Sequence, residues 1–136
     1  MTNDALARSY IFKARKRLKV LRILFDEEDY SDVVREAQEV VELALKAMLR
    51  QVGIDPPKWH DVGKILLEND TLFPEDVRRF LPELAKISKW LRKERELSFY
   101  GDIDFIPTEE YDPEDAKKAI EGAEFCVKMA GEVIPD

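Results

Sequence analysis

Residues 31–52 constrain the fold more than any other part of this chain, because they predict a helix that is apolar on more than one face. Two adjacent stripes recur at three- and four-residue spacing, one made of Val33, Ala37, Val40, Ala44, Ala47 and Met48, the other of Val34, Val41, Leu45, Leu49 and Val52. So wide an apolar arc must be buried against several neighbours, and the alanines let those neighbours approach closely. We expect this segment to be the central helix.

Amphipathic patterns, caps and prolines predict the remaining helices. The segments are residues 4–25, a short helix from His60 or Asp61 to Leu67, another short helix opened by Phe73-Pro74, residues 82–98 after a fresh start at Pro82, and a last helix opened by Asp112-Pro113. Residues 101–112 show no period, and no segment alternates as a strand would. The chain is therefore expected to be all-α, a single domain over residues 1–136 folded as an antiparallel up-and-down bundle of four to five helices.

The composition bounds the environment of the protein. One cysteine, Cys126, cannot form an internal disulfide, which favours a reducing cytosol. No apolar run reaches the roughly 20 residues that span a bilayer, and the first residues lack the apolar core of a signal peptide, so we expect a cytoplasmic protein without membrane contact. Abundant Lys, Arg and Glu with few amides favour a thermophilic source.

Charge is distributed unevenly along the chain. The net charge of −7 argues against broad binding to nucleic acid, because an acidic chain repels phosphate at long range. Residues 1–25 nevertheless carry seven cations against one acid, and residues 101–136 carry eleven acids against three lysines. One interpretation is complementarity within or between subunits. The alternative is a local basic surface for RNA or a nucleotide, formed by Arg15, Lys16, Lys19, Lys89 and Arg92.

Several sequence pieces resemble the HEPN domain family when they are taken in order. The central helix begins with Asp29-Tyr30, continues with Ala37-Gln38, and then reads Glu42-Leu43-Ala44-Leu45-Lys46-Ala47. A glycine turn at Gly53-Ile54 and a His60-Asp61 opening of the next helix follow. This order is similar to the family pattern over nearly the whole chain.

The resemblance implies a helical bundle that often forms homodimers and is often encoded beside a small nucleotidyltransferase. Active members of the family are metal-independent ribonucleases, and they carry an arginine, four to six residues, a histidine and often a further x-Tyr. Two copies of this motif face each other across the dimer. By analogy, this chain would use no cofactor.

The matching position in this chain is Arg95-Glu96-Leu97-Ser98-Phe99-Tyr100, where a tyrosine replaces the histidine. Asp102 stands at the x-Tyr position. An imidazole with a reference pKa of about 6.5 exchanges protons near neutral pH, whereas a phenol near 10 is a poor base. Arg95 could still hold a phosphate, or it could pair with a neighbouring acid. Arg95 and Tyr100 are therefore the candidate catalytic pair of a degenerate motif.

The only histidine and the only cysteine do not form a metal site. His60 and Cys126 are far apart in sequence and show no ligand spacing, so no metal is expected. We interpret Cys126 as a small buried residue. His60 could serve as the missing base, but a histidine at the start of its helix, hydrogen-bonded there, is the simpler interpretation, and the bundle should separate it from Tyr100.

Residues 99–106 carry so many apolar side chains that we expect them to be buried against another surface. They could pack as a lid on their own bundle, or they could form a dimer or partner surface that includes Phe99, Tyr100, Phe105 and Trp90. Trp59 could join either arrangement.

Three functions follow from these patterns. The first is a homodimeric interaction module without catalysis that works with a partner such as a nucleotidyltransferase. The second is a toxin-type ribonuclease that uses Arg95 and an unrecognised base. The third is a module that binds RNA or a nucleotide through basic helix faces that also include Lys86 and Lys93.

Overall fold

The computed structural model describes residues 3–56, 58 and 61–135. Its α-helices are α1 (Asn3–Asp26), α2 (Tyr30–Gln51), α3 (Val62–Glu68), α4 (Glu75–Arg78), α5 (Leu81–Phe99), α6 (Pro107–Glu110) and α7 (Pro113–Val133), with a short 3-10 turn at Asp70–Leu72. The extended pairing among the described residues is one isolated bridge, between Asp102 and Phe105. The all-α class is confirmed.

Helix α2 is the centre of the bundle. It packs against α1, α3, α5 and α7. Both predicted apolar stripes are buried from Val33 to Leu49, and only Val52, just beyond the helix, is half-buried. After the last turn, the Ile54 amide donates to the Leu49 carbonyl oxygen at 2.9 Å, and Gly53 takes a positive φ of 87°. This is the glycine-ended stop that the sequence predicts.

Side-chain contacts give the helix directions. Arg17 of α1 pairs with Glu36 of α2 at 3.2 Å, and Arg50 near the end of α2 donates to Asn3 at 3.1 Å, so these helices are antiparallel. The antiparallel pairing of α1 with α7 is indicated by the 3.1 Å contact between Arg22 and Glu124, together with the approach of Arg15 to Gly131.

Helix α5 runs antiparallel to both α2 and α7. Along α5, Arg95 and then Phe99 meet Glu39 and then Arg35 of α2, so the order of contacts is reversed. Likewise, Ile87 and then Trp90 of α5 meet Gly122 and then Lys118 of α7. Because α1 and α5 both run antiparallel to α2 and α7, the four long helices alternate in direction along the chain. The predicted up-and-down bundle is confirmed.

Local details differ from the sequence expectations at two points. Pro74 is the N-cap of α4 and not its first helical residue. The stretch expected to be irregular contains α6. Pro82 lies in the first turn of α5, where a missing N–H costs nothing, which agrees with the predicted fresh start of a helix there. Trp59 and His60 lie outside the described residues.

None of the described helices combines the length and the apolar character that a membrane crossing requires.

Truncating the core of α2 should be costly. Leu45 is fully buried, so Leu45→Ala should lower the free energy of unfolding by about 2–5 kcal/mol through lost burial and a residual cavity. Urea denaturation measures this loss. Leu72, which is exposed, provides the control, because Leu72→Ala should change stability by less than about 0.5 kcal/mol. Equal losses in the two variants would contradict the central position of α2.

Candidate functional site

The residues of the degenerate motif lie at the C-terminal end of α5. Arg95 and Phe99 are four residues apart, so they share one face of the helix. Tyr100 follows directly after the helix. The buried Ser98 hydroxyl donates to the Arg95 carbonyl oxygen at 2.9 Å, which occupies a carbonyl group of the final turn.

Helix α2 supplies the opposite wall of the site. Arg95 Nη2 lies 3.2 Å from Glu39 Oε1, and the Arg35 guanidinium carbon lies 4.5 Å from the centre of the Phe99 ring. Arg35 Nη1 also lies 3.3 Å from Glu36 Oε1, and Glu36 in turn pairs with Arg17 of α1. Contacts among α1, α2 and α5 therefore hold Arg35 and Arg95 in place, and each arginine is paired with a glutamate.

These residues enclose an open cleft of about 310 Å³, lined by Arg35, Arg95, Phe99 and Tyr100. The Tyr100 side chain is 76% exposed, and its ring meets Phe99 edge-on with 4.8 Å between the ring centres. The two guanidinium groups could bind an anion such as phosphate if it displaced the glutamates with which they are paired. The described lining offers no group whose reference pKa lies near neutrality.

A second cleft of about 200 Å³ joins Phe99 to helix α1. Its lining includes Val20, Leu24 and Asp32. Burial is the largest cause that raises the pKa of Asp32, and a hydrogen bond to Asp29 and repulsion by its carboxylate add to it. Arg35 opposes the shift, and the resulting pKa is about 6. Asp32 is thus a carboxyl group that gains a proton in mildly acidic solution.

The turn after α5 depends on Gly101. Its φ is +73°, and a Cβ there would collide with the Phe105 carbonyl oxygen and the Pro107 ring. The Asp102 amide donates to the Phe105 carbonyl oxygen at 2.9 Å, and the Phe105 amide donates back to Asp102. Only glycine fits this tight return of the chain.

The turn divides the apolar segment into inward and outward side chains. Phe105 is half-buried and meets the Tyr111 ring edge-on at 5.7 Å, and the Tyr111 hydroxyl donates to Glu94 at 2.8 Å. Burial and Glu94 raise the pKa of Tyr111. Ile103, by contrast, is 91% exposed. We call the outward-facing set, Phe99, Tyr100, Ile103 and Ile106, the Phe99 surface.

Trp90 does not join the Phe99 surface. It lies nine residues before Phe99 on α5, which at 3.6 residues per turn places the two rings on opposite faces, about 180° apart. The Lys118 ammonium lies 4.0 Å from the centre of the Trp90 ring. The two aromatic residues therefore belong to different surfaces of the bundle.

The basic residues proposed for nucleotide or RNA binding are also dispersed. Lys89 lines a groove beside Trp90, whereas Arg92 lies 3.5 Å from the Asp61 carboxylate. Arg15, Lys16 and Lys19 are on α1, which packs against α2 and α7 and shares no substantial interface with α5. The structure thus does not unite these residues into one basic surface.

Sequence reasoning missed Arg35. It lies on the polar side of α2, one turn before Glu39. Only its contact with α5 distinguishes it from the other polar residues of α2, and that contact cannot be read from the sequence.

Within the described ranges, no group of three or more histidine, cysteine, aspartate or glutamate side chains could hold a metal ion. Cys126 is buried, and burial raises its pKa to about 12, so it remains a thiol. This agrees with the interpretation of Cys126 as a small core residue.

Comparisons with known proteins relate the chain to one family. The sequence model for the HEPN domain matches residues 7–133. A protein of Methanocaldococcus jannaschii named "Putative toxin MJ1304" is 26% identical over 134 residues, covering 93% of this chain and 87% of that protein.

Two solved structures share the fold. TT1696 from Thermus thermophilus superposes with a TM-score of 0.73 and 22% identity, covering 93% of this chain and 96% of that one. ST0689, an archaeal HEPN homologue, superposes with a TM-score of 0.71 and 23% identity, covering 95% of this chain and 98% of that one.

Replacing Asp32 should change how stability depends on pH. The folded state binds the Asp32 proton more tightly than the unfolded chain does, because its pKa of about 6 exceeds the ordinary value of 3.8. Its contribution to stability is therefore fully present below pH 3.8 and is lost as the pH rises through 6.

We expect Asp32→Asn to be more stable than the wild type at about pH 7.5, with a flatter stability curve between about pH 4 and 6.5. Thermal unfolding across this range measures both effects. Asp76→Asn, which changes an exposed aspartate of α4, is the matched control. A wild-type slope that persists in Asp32→Asn would contradict the assignment.

Proposed function

This chain belongs to the HEPN domain family, and from that premise we propose that it is a homodimeric interaction module that does not itself cleave RNA. It works with a partner protein, for which a small nucleotidyltransferase is the candidate that the family resemblance offers. We also propose a cytoplasmic location, which the single cysteine favours.

The side chain at Tyr100 carries this proposal. Active members of the family have a histidine at this position, whereas here a largely exposed phenol rests against Phe99. General acid–base catalysis near pH 7 needs a group that titrates there, and the described lining of the arginine cleft provides none. Asp32, whose pKa is about 6, lies in the adjoining smaller cleft and not in this one. Arg35 and Arg95 are also both paired with glutamates, which compete with a phosphate for the guanidinium groups.

The Phe99 surface supports the dimer. Its four side chains are all exposed, and they follow one another closely along the chain, so in isolation they would form an apolar patch beside the arginine cleft. Val20 of α1, also exposed, extends the patch across the smaller cleft. A second copy related by a two-fold axis would cover these side chains and bring two clefts together.

A toxin-type ribonuclease is the rival function. The name of the Methanocaldococcus relative and the two guanidinium groups of the cleft favour it. This rival requires a base from outside the described lining, and His60 is the only histidine in the chain.

The expectation of a thermophilic source stays a prediction.

Charge placed in the Phe99 surface should separate the dimer. We expect Tyr100→Asp/Ile103→Asp to sediment as a monomer at micromolar concentration where the wild type sediments as a dimer, because two carboxylates per subunit would have to lose their water in an apolar interface. Leu67→Asp/Leu72→Asp is the control, since both leucines are exposed on other elements. A monomeric wild type, or equal dissociation of the control, would refute this interface.

RNA should remain intact when it is incubated with the purified protein in chelator. Gel analysis of a mixed-sequence RNA should show the same pattern with wild-type protein, with Arg95→Ala and with buffer alone. Lys64→Ala, an exposed change on α3, controls for a contaminating nuclease. Cleavage that Arg95→Ala abolishes and Lys64→Ala preserves would establish the ribonuclease and overturn the proposal.

A further inference from the structure

A larger groove lies on the opposite face of α5 from the Phe99 surface. Its volume is about 890 Å³. Its apolar lining is Pro82, Ile87 and Trp90, and its charged lining is Arg79, Glu83, Lys86, Lys89, Lys93 and Lys118. We call it the lysine groove. It carries five cations and one acid in a chain whose net charge is −7.

Within the described part of the chain, the lysines of this groove have no carboxylate partners. No ion pair between described side chains involves Lys86, Lys89 or Lys93, and the contact of Lys118 is with the Trp90 ring. Elsewhere several arginines of the long helices are paired with acids, as Arg22 is with Glu124. Uncompensated cations gathered around one concave surface favour an anionic ligand.

The positive region is short. Lys86 and Lys93 are seven residues apart on α5, which corresponds to about 10 Å along the helix. Glu75 and Asp76 precede Arg79 at one end, and Lys118 is flanked on α7 by Glu114 and Glu121, which are exposed like the other two acids. A long polyanion such as RNA would be repelled on leaving the groove, whereas a ligand with a few local negative charges would not.

The apolar side chains at the floor of the groove suit a polypeptide ligand better than a nucleotide. Ile87 and Trp90 are half-buried apolar side chains surrounded by charged ones, an arrangement typical of protein interfaces with an apolar core and a polar rim. Lys118 already covers one face of the Trp90 ring, which leaves less of the ring for base stacking. An amphipathic helix can bury its apolar side chains in such a groove.

We propose that the lysine groove binds an acidic amphipathic helix of a partner protein. Its apolar side chains contact Ile87 and Trp90, and its carboxylates pair with Lys86, Lys89, Lys93 and Lys118. This inference rests on the proposed function in that a partner exists, and it names the chemistry by which that partner is recognised. Because Trp90 and Phe99 lie on opposite faces of α5, the partner and a second copy of this chain can bind at the same time.

Fluorescence polarisation with a synthetic helical peptide tests this inference. The labelled probe carries leucines at i, i+4, i+7 and i+11 and glutamates on both flanks; a scrambled peptide of equal composition and a single-stranded oligouridylate are the comparisons. We expect the amphipathic peptide to bind best. Lys89→Glu/Lys93→Glu should bind it about tenfold or more weakly, because two attractive charges become repulsive.

Matched variants locate the effect. Lys13→Glu/Lys19→Glu changes two exposed lysines of α1 and should bind the probe within about twofold of wild type if only the groove matters. Trp90→Ala should weaken binding while circular dichroism stays unchanged. Equal affinity for the scrambled peptide, preference for the oligouridylate, or equal loss in the α1 variant would overturn the groove assignment.

Sedimentation of the same samples keeps the two proposals separate. The groove variants should remain dimeric, and Tyr100→Asp/Ile103→Asp should still bind the peptide. A wild type that dimerises and leaves RNA intact but does not bind the amphipathic peptide refutes this inference alone. A wild type that binds the peptide but cleaves RNA through Arg95 refutes the proposed function and leaves the groove assignment in place.

Discussion

The burial of α2 on several sides is the constraint on which the rest of the structure depends. Its apolar arc accommodates α1, α5 and α7, which leaves one polar stripe, containing Arg35 and Glu39, to meet the end of α5. The candidate site forms where this stripe faces Arg95 and Phe99. The position of the cleft is therefore a consequence of how the central helix is covered.

Helix α5 carries two distinct surfaces because one helix can present opposite faces. Leu84 and Leu91 face the core. Phe99 lies to one side of that buried line, against α2, and Trp90 lies to the other, beside α7. Helix α5 packs against α2, α3 and α7, and the surface that it leaves exposed is divided between the Phe99 surface and the lysine groove. These two surfaces differ in chemistry, one apolar and one basic.

The sequence was sufficient to predict α2, its stop at Gly53 and the alternating helix directions, because these depend on period and turn chemistry. Arg35 could not be selected, since its role depends on the tertiary pairing of residues 35 and 39 with residues 99 and 95. The sequence analysis placed Trp90 with Phe99 on one candidate surface. Counting about 100° per residue along α5 would have separated them.

With Tyr100 in the place of the family's histidine, this position loses a group that exchanges protons near neutral pH and gains one that suits a binding contact. A phenol is a poor proton acceptor near neutral pH, but its rigid ring and its hydroxyl suit a contact that is apolar on one side and wet on the other. Tyrosine is enriched at protein interfaces for this reason. At the exposed end of α5, the substitution weakens the case for catalysis and strengthens the case for binding, while the neighbouring Arg35 and Arg95 remain positioned by glutamates of α2.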